Sequence, residues 1–165
     1  MFKSAFFLFL QLIAISSTFG LTQNITNGTK IPYNSTVQGS AVTRFLIKDC
    51  GTSTDLAHNL VLEVEPKLPQ TDYTLFLNTD LTKDVNSGTS KYDVTYNFIP
   101  FSPTVEDLCT EISHSNITCP LTSGHISSES KGTVPTGLSG TVIIKNQWFD
   151  TNGERILCMQ FTISI

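Results

Sequence analysis

The sequence predicts an all-β protein, an antiparallel sandwich of six to eight short strands. Three observations carry that expectation. Several runs alternate apolar and polar residues with period two, the mark of a strand with one face inward. Prolines and turn-forming residues punctuate the chain at short intervals, with Pro66, Pro69, Pro100, Pro103 and Pro135 at segment ends. No stretch keeps a 3.6-residue apolar period over three turns.

Taken from the N-terminus, residues 1–20 read as a secretory signal peptide. Lys3 precedes an apolar stretch from Ala5 to Ile15 interrupted only by Gln11, and Ser16 to Gly20 supply the small or polar exit. That stretch is shorter than the roughly 20 residues a spanning helix needs. Residues 21–40 read as an exposed, flexible tail, because Asn24, Asn27 and Asn34 each begin an Asn-x-Ser/Thr sequon and a glycan must face solvent. A fourth sequon begins at Asn116. Residues 41–165 form the expected domain. Within it Leu60, Leu62 and Val64 alternate with Val61, Glu63 and Glu65, and Tyr73, Leu75 and Leu77 form a less regular second run. Tyr92, Val94, Tyr96 and Phe98 alternate with Asp93, Thr95 and Asn97. Asp150-Thr151-Asn152-Gly153 is a turn between Gly140–Phe149 and Glu154–Ile165, which predicts a C-terminal hairpin.

The formal net charge is −4, and −5 once Lys3 is removed with the signal peptide; no basic block exists. This argues against nucleic acid as a partner and against tight electrostatic binding to anionic membranes. Secretion makes disulfides permissible, and four cysteines allow three pairings that sequence does not separate. Loop closure favours Cys109 with Cys119, ten positions apart, which leaves Cys50 for Cys158. No Cys-x-x-Cys occurs, and His58, His114 and His125 lack ligand spacing, so no metal or other cofactor is expected. Nor is an enzyme expected: there is no Gly-x-Ser-x-Gly elbow, and Ser113-His114-Ser115 lies within the short cysteine loop without an orienting acid.

The cysteines and their neighbours resemble the ML lipid-recognition family from about Phe45 to Phe161. Lys48-Asp49-Cys50-Gly51 matches the family's first-cysteine motif, and Pro100-Phe101 followed by Cys109 matches its proline-rich loop. Cys119-Pro120 matches the far side of that loop, and Trp148, Asp150, Gly153 and Leu157-Cys158 match the closing hairpin. The family includes sterol carriers of the Niemann–Pick type C kind and phosphatidylglycerol/phosphatidylinositol transfer proteins. The resemblance implies the same cysteine pairing and an immunoglobulin-like sandwich of about seven strands, with a lipid cavity between its sheets. Two departures bear on the cargo. Thr52 to Pro69 lacks the sterol carrier's extra cysteine, and Asn146 stands where that carrier has an aromatic residue.

The resemblance further implies lipid-lining residues. Phe101 lies eight residues before Cys109, matching a phenylalanine at the pocket entrance, with Val134, Pro135 and Leu138 opposite. Tyr96 and Phe98 project from the strand leading into Phe101, and Leu75, Val142 and Ile144 are further lining candidates. Lys131 or Glu129 could meet a polar head at the mouth. The expected function is to bind a phospholipid or sterol and transfer it between membranes as a monomer with transient membrane contact. Its expected compartment is the secretory pathway, either extracellular or in the endo-lysosomal lumen. The competing reading is a secreted recognition or adhesion module without lipid. Antibody-type domains place a tryptophan between centrally paired cysteines, whereas here the long pair would join the outermost segments.

Overall fold

The computed structural model describes residues 37–38, 44–67, 72–133 and 140–164. Ten antiparallel strands build two sheets. They are β1 (Val37–Gln38), β2 (Arg44–Asp49), β3 (Ala57–Lys67), β4 (Asp72–Leu81), β5 (Gly88–Tyr96), β6 (Ile99–Pro100), β7 (Thr104–Asp107), β8 (Gly124–Thr133), β9 (Thr141–Asp150) and β10 (Arg155–Ser164). The larger sheet has the order β1-β2-β10-β9-β5-β6, with β7 also on β5; the smaller is β3-β4-β8. The antiparallel sandwich is as expected. The strand count exceeds seven because short edge pieces flank β5 and because Val37–Gln38, placed by sequence in the tail, pairs with β2. The rest of the expected tail and the expected signal peptide lie outside the described residues.

Inward-facing residues of the two sheets form one core at the end of the sandwich that carries both disulfides. Leu62, Val64, Leu77 and Leu81 of the smaller sheet meet Ile47, Trp148, Ile156, Leu157 and Met159 of the larger. Ile156 and Leu157 both reach this core, although adjacent residues of a strand normally face opposite ways. The register shift between Arg155 and Leu157 allows it. Val85, Leu108, Ile112 and Leu121 close this end from outside the sheets.

Two disulfides join Cys50 to Cys158 and Cys109 to Cys119, with Cα–Cα distances of 4.9 and 5.5 Å. Beside the first, Arg155 Nε donates to both Asp55 oxygens at 3.0 and 3.1 Å, and its Nη2 donates to Asp55 Oδ1 at 2.8 Å and to Thr52 Oγ1 at 3.0 Å. Asp55 is buried, which alone would raise its pKa; the hydrogen bonds from Arg155 and Thr52 outweigh that and hold it below its ordinary value. Lys83 reaches across to Asp150 at 3.1 Å and to Glu154, tying the β4–β5 connection to the β9–β10 turn.

Two expectations of local structure are corrected. The Tyr92–Phe98 alternation does not continue to Phe98. The strand ends at Tyr96, and Asn97 and Phe98 take positive φ angles of 46° and 67° in a two-residue turn before β6. The cysteine loop, which showed no helical period, holds a short helix α1 (Leu108–Ile112) followed by a 3₁₀ turn at Ser113–Ser115. Asp107 caps α1 by accepting from the Thr110 N–H at 2.8 Å, and Leu108 and Ile112, four apart, bury one face. One turn is too short for periodicity to show in sequence.

Candidate functional site

The end of the sandwich away from the disulfides is built differently. Directly paired residues of neighbouring strands share a face, so the registers define rows across the inner surface of the larger sheet. The outermost row is Tyr96, Val142, Ile163 and Phe45; the next is Val94, Ile144, Phe161 and Ile47. Tyr96, Val94, Val142, Ile144 and Phe161 are inward and apolar yet only half-buried. Phe45 and Ile163, with Tyr73 and Val142 against them, form a small apolar cluster separate from the main core.

The facing wall explains the incomplete burial. Pairing Leu77 with Ser128, Leu75 with Ser130 and Tyr73 with Gly132 turns Ser128, Ser130 and Gly132 inward. Ser128 and Ser130, with Gly132 beyond them, present a wall of small residues where a close-packed sandwich would interdigitate large ones. Gly132 is further constrained, because a Cβ there would run into the Tyr73 ring. Burial raises the pKa of the Tyr73 hydroxyl. Asp72, Tyr73, Lys131, Gly132 and Thr133 line a rim concavity of about 190 Å³.

Below the two apolar rows β5 and β9 carry a polar group on the inner face, beside core residues of β10. Tyr92 and Asn146 pair across β5 and β9, next to Met159, and Ser90 lies one step deeper beside Trp148. The buried Ser90 hydroxyl donates to Asn146 Oδ1 at 2.9 Å, and Tyr92 donates to Glu111 Oε1 of α1 at 2.8 Å. Burial raises the Tyr92 pKa, and the Glu111 carboxylate acts in the same direction. The phenol therefore stays a neutral donor. The outermost row lies four residues from this polar floor along β5 and β9, about 13 Å at strand rise.

The mouth lies along the β6 edge. Ile99 pairs with Tyr96, and the Phe101 N–H donates to Val94 O at 2.8 Å, which extends the same register. Ile99 and Phe101 therefore prolong the two apolar rows to the sheet edge. Phe101 is 45% exposed there. Tyr96, Val142, Ile144 and Phe101 thus share the inner surface of the larger sheet, and Leu75 lies on the facing inner surface of the smaller one. Phe98 does not; it sits at the turn tip, 87% exposed. Val134, Pro135 and Leu138 lie outside the described residues. Lys131 and Glu129 stand on the outer face of β8, where their side chains lie 3.5 Å apart. Asn116 is exposed at a left-handed position after the 3₁₀ turn, while Asn24, Asn27 and Asn34 lie outside the described residues.

Sequence reasoning missed Phe45, Tyr73, Val94, Phe161 and Ile163 on this surface, and the three small residues of β8. Apart from Phe45, which sits in the apolar run Phe45-Leu46-Ile47, the first group alternates with polar residues and could have been read from period two. The β8 residues could not, because Ser127–Gly132 is polar on both faces and only pairing with β4 gives it a direction.

The sandwich is closed by disulfides and core at one end, while the other carries an inward, apolar and half-buried surface that meets the facing sheet through Phe45 and Tyr73, an arrangement suited to an apolar ligand. The chain belongs to the ML domain family, whose family model matches residues 44–165. A search of curated protein sequences gave no match. Among solved structures, chicken MD-1, in a crystal structure complexed with lipid IVa, is similar with a TM-score of 0.60 and 15% identity over 84% of this chain and 98% of that one. A Niemann–Pick type C2 protein from the Japanese carpenter ant is similar with a TM-score of 0.51 and 16% identity, covering 71% of this chain and 96% of that one.

Proposed function

We propose that this protein binds the apolar portion of a lipid between its two sheets and carries it between membranes. The observation that carries this reading is the contrast along the sandwich. Trp148, Leu157 and Leu62 are buried at one end, while Val94, Ile144 and Phe161 face inward and remain half-buried at the other. The family and the lipid-complexed MD-1 structure support it. Burial alone can supply the affinity, at about 0.8 kcal/mol per buried CH₂. The cargo class is a phospholipid such as phosphatidylglycerol or phosphatidylinositol, or a sterol, with its polar group at the mouth. Two disulfides suit an oxidising compartment, so the protein would act outside the cell or in the endo-lysosomal lumen, and the expected working form is a monomer.

Organic extraction of the folded, secreted protein and identification of what it releases tests the reading directly. Phe101→Ala tests the mouth. Truncating a closed-core phenylalanine costs about 3–5 kcal/mol. Phe101 is 45% exposed, so its variant should unfold close to the wild-type midpoint while transfer of a fluorescent lipid between vesicles slows. Transfer at the wild-type rate by folded Phe101→Ala protein would refute this role. A lipid-free native mass together with a stable protein partner would instead favour a recognition module.

A further inference from the structure

We propose that the β5–β6 turn, with Phe98 at its tip, is the surface that docks on a lipid bilayer and sets the mouth against it. This rests on the lipid-carrier reading above and names the face by which that carrier would load. Among the described residues, four of the five exposed large hydrophobics, Phe98, Ile99, Phe101 and Val105, fall within eight positions of sequence. From Val94 to Val105 the chain holds no charged residue.

The turn itself is costly for the residues it carries. Asn97 and Phe98 both have positive φ, where asparagine and glycine are at ease and a bulky side chain is an outlier. Phe98 is nevertheless there, 87% exposed, with Ile99 66% exposed beside it. Neither turn stability nor core packing accounts for a phenylalanine at that place. Interaction with an apolar phase does.

The tip is held rigidly relative to the mouth. The Asn97 N–H donates to Thr141 O at 2.8 Å, and Asn97 Oδ1 accepts from the Thr141 N–H at 2.8 Å. Gly140, at φ +128°, leaves room for the Asn97 side chain, which a Cβ would strike. The turn is thus anchored to the start of β9, and Ile99 and Phe101 run from the tip directly into the two apolar rows.

Size and charge select a bilayer over a protein. Phe98 and Ile99 together offer on the order of 300 Å² of exposed side chain, well short of the roughly 800 Å² each partner contributes to a stable protein interface. A convex, uncharged tip with an aromatic at its apex suits the boundary between headgroups and acyl chains, where side chains enter by about 5–10 Å. No ion has to leave water.

The test is flotation of the full secreted protein with vesicles of phosphatidylcholine, with and without phosphatidylglycerol. Phe98→Asn suits the backbone of the turn, so its unfolding midpoint should match or exceed wild type. Its vesicle partitioning should fall by about tenfold or more, while the lipid extracted from the purified protein stays the same. Phe98→Trp should retain binding and shift its emission to the blue on vesicles, since the native Trp148 is already buried. Equal partitioning of Phe98→Asn and wild type would overturn the proposal. So would binding that needs phosphatidylglycerol and vanishes with salt, or Phe98-dependent self-association without vesicle binding. Extracted cargo without any vesicle binding overturns the docking surface alone. Phe98-dependent vesicle binding by a protein that carries no lipid upholds that surface and sinks the carrier reading.

Discussion

Arg155 shows how one residue secures the closed end. Its guanidinium engages both oxygens of Asp55, a carboxylate taken out of water beside the Cys50–Cys158 bridge. Arg155→Met would leave that buried carboxylate without its counter-ion, held only by Thr52, with an expected loss of about 3 kcal/mol in urea unfolding at neutral pH. The pH dependence follows from the direction of the Asp55 shift. Its folded pKa lies below the ordinary 3.8, so the unfolded chain takes up the proton first as pH falls. The stability from the pair is therefore present above about pH 4 and lost as pH falls through the lowered folded value. In Arg155→Met only the Thr52 hydrogen bonds still oppose burial, so the Asp55 pKa should rise relative to wild type and the variant's deficit should shrink in acid. A deficit that stays constant down to pH 3 would show that the pair is not the source.

At the scale of an element, β8 gives the half-buried end of the sandwich a wall of small residues. Its inward Ser128, Ser130 and Gly132 stand against Leu77, Leu75 and Tyr73. Refilling that wall should convert the open half into ordinary core. Ser130→Leu is expected to raise or preserve the unfolding midpoint of lipid-free protein, because it adds apolar burial where space exists. It should also reduce the lipid recovered by extraction. A large drop in stability would indicate overpacking, hence that β8 already faces a full interior. Gly132 is a poorer choice for this experiment, since Tyr73 occupies the space beside it.

β8 also marks the limit of what could be read along the chain. The strands around Leu62, Leu75 and Tyr92 were legible because alternation encodes a face. The C-terminal hairpin was legible because Asp150–Gly153 is a strong turn; Asp150 Oδ1 accepts from the N–H groups of both Asn152 and Glu154 at 2.9 Å. A serine-rich strand carries neither signal. Phe98 failed for a related reason. Period two continued through it, but the reversal at Asn97 is imposed by pairing of Tyr96 with Ile99 and by the bonds from Asn97 to Thr141, which lie 44 positions apart in sequence.

For the whole molecule, the two ends of one sandwich have different stability requirements. The disulfides, the Asp55–Arg155 pair and the close-packed core all lie at one end. At the other end only the small Phe45–Ile163–Tyr73–Val142 cluster is packed, and on the lipid-carrier reading the remaining half-buried apolar residues gain contacts when a lipid is bound. Removing bound lipid should therefore lower the melting temperature, and adding it back should restore about 2.7 kcal/mol at a hundredfold excess over Kd. Hydrogen exchange should rise on stripping in β5, β8 and β9 near the mouth and stay unchanged around Cys50 and Cys158. Uniform exchange along the sandwich would contradict a localised lipid site.

The sequence by itself determined the all-β class and the sandwich, because period-two alternation and turn chemistry are written in neighbouring residues, and its local motifs carried the family resemblance that implied the cysteine pairing. Tertiary structure alone decided that small residues of β8 face large ones of the opposite sheet, that Asn146, Ser90 and Tyr92 form a polar floor, and that Phe98 leaves the inner surface for an exposed tip. Each of these depends on which strands pair and in what register, a choice made by contacts between segments far apart in the chain.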